Sequence, residues 1–81
     1  MKLPRDLSGR DLAAALQRAF GYRQVHQEGS HMVLEAQAER KHRIVIPDHR
    51  TLRVGTLNAI LRAVAKAHGL SKTEVLRRLI G

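Results

Sequence analysis

The chain has 81 residues, one domain's worth, and 43% of them are hydrophobic, an ordinary globular share that supports one core and no deep substrate cavity. Cysteine is absent, which excludes disulfides, thiolate zinc sites and a cysteine nucleophile, and the scarcity of aromatics, Phe20 and Tyr22, argues against a base-stacking platform. Fifteen Lys and Arg face seven Asp and Glu, a net charge of +8, so the expected partner is a polyanion, nucleic acid ahead of an acidic protein.

Residues 1–6 contain no apolar signal core, and no stretch approaches 18 consecutive apolar residues. A cytoplasmic protein with no membrane partner is expected. Ser8-Gly9-Arg10-Asp11 forms a capping box, and Leu12, Leu16, Ala19 and Phe20 follow at helical spacing. Gly21 closes this first helix, predicted over 9–20. Residues 22–27 carry β-favouring side chains with weak alternation, Glu28-Gly29-Ser30 is a turn, and 31–36 is a second strand. A polar run, 37–41, turns the chain again without Gly, Pro or Asn. The best strand is Arg43-Ile44-Val45-Ile46, stopped by Pro47, which lacks a ladder donor. Links this short allow only an antiparallel meander.

Beyond a polar loop over 48–53, Thr56 is the expected cap of a helix whose stripe is Leu57, Ile60, Leu61, Val64 and Ala65, reaching His68-Gly69. Ser71-Lys72-Thr73-Glu74 is a second capping box, with Val75, Leu76, Leu79 and Ile80 behind it. The order α-β-β-β-α-α predicts one α+β domain over 1–81: a three-stranded antiparallel sheet with helices on one face and the other face solvated. The last helix reads as packing material, with more apolar surface than solubility needs, and so points to a protein partner. Its turn also has helix-turn-helix character, but apolar residues stand where base-reading side chains would be.

His26, His31, His42, His49 and His68 include no pair at i, i+4 on a helix and no carboxylate at a metalloprotease spacing, so no metal site and no cofactor are expected. For most of them the plain reading is a surface imidazole. His31 differs, because Gly29-Ser30 precedes it at a turn running into a strand. Glycine lets a phosphate approach, serine offers a hydroxyl, and imidazole is the natural proton shuttle near neutral pH. Lys41, Arg43, Arg50 and Arg53 gather around the third strand and its loop, and Arg10, Arg18 and Arg23 flank the first helix. Arg binds phosphate bidentately, so some of these side chains are candidates for phosphate contact rather than mere solubility.

These strings occur in an order that resembles one family. Gly21-Tyr22, then Gly29-Ser30-His31, then Ile44-Val45-Ile46-Pro47-Asp48-His49, then Gly55-Thr56-Leu57-Asn58-Ala59-Ile60-Leu61 are similar to the pattern of the HicA (YcfA-like) toxins of toxin–antitoxin systems. The resemblance spans residues 8–80. It implies a fold like the double-stranded RNA-binding domain and a metal-independent mRNA endonuclease, or mRNA interferase. The histidine of its Gly-Ser-His, here His31, would be the catalytic group; from their own chemistry, Gly29, Ser30, Lys41 and Arg43 are the candidates for contact with the substrate. It also implies mRNA as substrate, a HicB-type antitoxin as partner and no small-molecule cofactor. Two places depart from the pattern: Leu34 stands where the family often has an aromatic, and the turn after the second strand lacks its usual glycine. Two other readings keep the basic surface without the chemistry: a non-catalytic double-stranded RNA-binding module, and a DNA-bound adaptor acting through the last helix.

Overall fold

The computed structural model describes residues 6–38 and 40–80. Residues 1–5, on which the expectation of no signal core partly rests, and Glu39, in the expected turn, lie outside the described residues. The elements are α1 (Gly9–Phe20), β1 (Arg23–Glu28), β2 (His31–Gln37), β3 (Lys41–Pro47), α2 (Val54–His68) and α3 (Lys72–Ile80). The strands form an antiparallel meander in the order β1-β2-β3. This is the α+β arrangement anticipated from the chain.

Alternation decides which face is covered. Met32, Leu34 and Ala36 of β2 and Ile44 and Ile46 of β3 point to one face and are buried. There they meet Leu12 and Leu16 of α1 and Ile60, Leu61 and Val64 of α2, all within one core. The opposite face carries His31, Val33, Glu35 and Gln37 with their register partners Pro47, Val45, Arg43 and Lys41, and among the described residues no helix covers it. Every residue of β1 is exposed, and a register shift between Gln24 and His26 marks a bulge around Val25. Among the described residues, no helix is long and apolar enough to cross a membrane.

The caps follow elementary helix chemistry at α1. The Asp11 N–H donates to Ser8 Oγ (3.0 Å), the Ser8 N–H donates to Asp11 Oδ2 (3.5 Å), and Gly21 closes the helix in the left-handed region at φ 73°. Two expectations need correction. Helix α2 does not start at a Thr56 cap: it begins at Val54, with Arg53 as N-cap and no side-chain cap hydrogen bond. The Leu52 N–H donates to Leu7 O (2.9 Å), and this tie beside the helix start involves no local side-chain signal. The second correction concerns α3. Val75 and Leu79 are buried in the chain's own core, and Arg18 Nη2 donates to Leu79 O (3.1 Å). The apolar surplus assigned to a partner is therefore largely consumed within the domain.

Candidate active site

The β1–β2 hairpin closes on the pair Glu28↔His31, leaving Gly29 and Ser30 as a two-residue loop. Gly29 has φ +59° and Ser30 is not in the positive region, the signature of a type II′ turn, which glycine opens at no steric cost. This geometry makes His31 the first residue of β2. Its side chain is exposed on the open face, across from Glu28 on one side and Pro47 on the other.

Backbone hydrogen bonds fasten this end of the sheet. The Asp48 N–H donates to Ser30 O (2.6 Å), and the Gly9 N–H donates to His49 O (2.9 Å). Gly9 sits so close to the Pro47 carbonyl that a Cβ there would overlap the oxygen. Arg10 forks onto Asp48, with Nε at 3.0 Å and Nη2 at 3.3 Å, and this hydrogen bond, then the carboxylate's charge, raises the arginine's pKa. The start of α1, the hairpin turn and the segment after β3 thus meet beside His31. Sequence reasoning did not single out Gly9 or Asp48, because their partners (Pro47 and His49 for Gly9, Ser30 and Arg10 for Asp48) are distant in the chain.

The cations proposed for substrate share the open face with His31 but not its neighbourhood. At ~3.3 Å per residue, Arg43 lies ~13 Å and Lys41 ~20 Å along β3 from Pro47, the partner of His31. Both engage Glu35: Arg43 Nε at 2.7 Å and Lys41 Nζ at 4.0 Å. The hydrogen bond from Arg43, helped by the charges of Lys41, Arg43 and Arg23, holds the Glu35 carboxyl below the usual carboxylate range. Gly29, Ser30 and His31 are therefore brought together, whereas Lys41 and Arg43 form a separate patch further along the same face.

The remaining histidines separate by face. His26 pairs with Val33 in register and so shares the open face with His31, and its Nε2 lies 3.5 Å from Glu28 Oε2. His49 is exposed in the segment after β3. His42 pairs with Ala36 and turns to the helix side, edge-on to Tyr22. His68 shares a 3.1 Å hydrogen bond with the Tyr22 hydroxyl and lies 4.9 Å from the Phe20 ring. Burial pushes the Tyr22 hydroxyl up to about 12. Burial, then the charges of His42 and Arg78, keeps the His68 pKa below its ordinary value. A shallow basic pocket of about 400 Å³ lies at this far end, lined by Arg40, Lys41, His42 and Lys66 with Ala63 and Ala67. Among the described residues, no group of three or more His, Asp or Glu is arranged to hold a metal.

Residues 9–65, which contain the hairpin turn, His31 and the segment after β3, match a family model described as HicA toxin of bacterial toxin-antitoxin. No curated protein and no solved structure matches the chain.

Proposed function

The chain belongs to the HicA toxin family, and from that premise we propose that it is a metal-independent mRNA endoribonuclease with His31 as its general acid/base. The observation that carries this reading is the placement of an exposed imidazole at the end of a fastened hairpin, on the uncovered face of the sheet. RNA supplies its own nucleophile. When the 2′-oxygen attacks the adjacent phosphorus, its proton must leave, and an imidazole moves protons near neutral pH. The products are a 2′,3′-cyclic phosphate and a chain with a free 5′-hydroxyl. N–H groups of the Gly29–Ser30 turn and the Ser30 hydroxyl are the donors available to the phosphorane oxygens. Lys41 and Arg43 hold phosphates further along the strand, releasing Glu35 as they do so.

A toxin of this family comes with an antitoxin. We assign that role to a HicB-type protein that covers the His31 end of the open face, so that antitoxin and RNA exclude one another. The setting is cytoplasmic, where the mRNA is.

The test is cleavage of RNA in EDTA by the wild type and by His31→Ala, alongside melting and RNA binding. The expected result is loss of cutting with nearly unchanged melting, since removing an exposed side chain changes stability by no more than ~0.5 kcal/mol. Binding persists, because phosphate contacts supply most of the affinity. An alanine variant that cuts like wild type would remove the enzyme reading and leave an RNA-binding module.

A further inference from the structure

Two proton transfers accompany strand cleavage: one off the attacking 2′-hydroxyl and one onto the departing 5′-oxygen. A single imidazole at His31 leaves one of them to water. The register supplies a second group. Glu28 lies directly across from His31, and His26, two residues earlier on β1, pairs with Val33. The bulge at Val25 falls before this stretch, so pairing from His26 to Glu28 is regular. His26 is therefore the diagonal neighbour of His31 on the open face. Diagonal residues on adjacent strands stand ~7–8 Å apart, within joint reach of long side chains. Two imidazoles at that separation leave room for one phosphate between them. Neither His42 nor His68 has this relation, as both lie on the helix side around Tyr22.

We propose that His26 is the second catalytic residue and acts as the general acid, with Glu28 as its positioning residue; the proposal rests on the nuclease reading above. Glu28 Oε2 lies 3.5 Å from His26 Nε2, so the carboxylate orients the ring and leaves Nδ1 as its free nitrogen. His31, as the base, takes the proton of the 2′-hydroxyl as the O2′–P bond forms. His26 gives its proton to O5′ as the P–O5′ bond breaks. Water then returns the two imidazoles to their starting states. The charged and titratable groups facing His26 on this side are Arg23 and Glu28 of β1 and His31 and Glu35 of β2, and no helix lies over them.

Leaving-group chemistry tests the assignment. Uridine 3′-(4-nitrophenyl phosphate) expels a phenolate that needs no proton, whereas an RNA 5′-oxygen does. His26→Ala is expected to cut RNA ~10²–10⁴-fold more slowly, the usual worth of a general acid. It should turn over the aryl ester within a few-fold of wild type. His31→Ala should fail on both substrates. The alkaline limb of the wild-type pH–rate profile on RNA should vanish in His26→Ala, and Glu28→Gln should slow RNA cleavage while sparing the aryl ester. His26→Gln, which keeps a long polar side chain on β1, should behave as the alanine variant does. Equal loss on both substrates, or RNA cleavage at the wild-type rate, would overturn the assignment. So would a Glu28→Gln defect larger than that of His26→Ala, which would make the carboxyl the donor. An active His31→Ala would instead overturn the parent reading, so the two failures are distinguishable.

Discussion

At the scale of single residues, the positions that matter most for the site are those whose partners are distant in the chain. Gly9 is legible as the first residue after a Ser8 cap, and nothing local says that it cannot be alanine. The Pro47 carbonyl says so, since an added Cβ would overlap backbone that has no rotamer to yield. Gly9→Ala is expected to cost at least ~1–3 kcal/mol, the range for overpacking, read as a lower urea midpoint. Gly55→Ala is the control. Gly55 lies in α2 with open space around its Cβ position, so the change should stabilise by up to ~0.5–1 kcal/mol. His68 was read as a helix-end residue, and its contact with Tyr22 and Phe20 is equally non-local. Its folded pKa is lowered, so the unfolded chain takes up this proton first as pH falls. The stability it contributes is full above the unfolded imidazole value of about 6.5 and declines as pH drops from there towards the folded value. His68→Gln should therefore flatten the fall in Tm between pH 7.5 and 5, and an unchanged slope would assign that fall to other groups.

At the scale of elements, legibility tracks how local the signal is. The Ser8–Asp11 box, Gly21, Gly69 and the Ser71 hydroxyl, which accepts from the Glu74 N–H at 3.1 Å, all act within a few residues and were read correctly. So was the Gly29–Ser30 turn, and with it the placement of His31 at the head of a strand. The start of α2 is not legible in the sequence, because it lies beside a tertiary tie between Leu52 and Leu7 and no side-chain cap selects it. The missing cap leaves an opportunity. Arg53 already has extended dihedrals, φ −70° and ψ 148°, as an N-cap residue should, but places a cation at the positive end of the helix. Arg53→Asp is expected to raise stability by ~1 kcal/mol, seen as a higher Tm at low salt. The bulge at Val25 left no trace in the sequence either, since it breaks no hydrophobic run; it sets which side chains of β1 share a face with His31.

At the scale of the whole molecule, the charge of +8 was legible from composition, but its distribution was not. Part of it is spent internally, on Asp48, Glu35 and Glu74. The rest should make RNA binding steeply dependent on salt. A few phosphate contacts on a single strand give a log–log slope of roughly −2 to −4 at about −0.7 per phosphate, measurable by fluorescence anisotropy from low to moderate salt. A flat response would assign the charge to solubility or to the antitoxin. The fastening beside His31 has a consequence of another kind. The amides of Asp48 and Gly9 tie together three segments that are distant in the chain, the start of α1, the hairpin turn and the segment after β3. Their hydrogens are expected to exchange with solvent as slowly as those of the core strands, which hydrogen exchange followed by NMR checks. If they do, the His31 end lasts as long as the fold does, and blocking it short of unfolding the domain requires something that covers it.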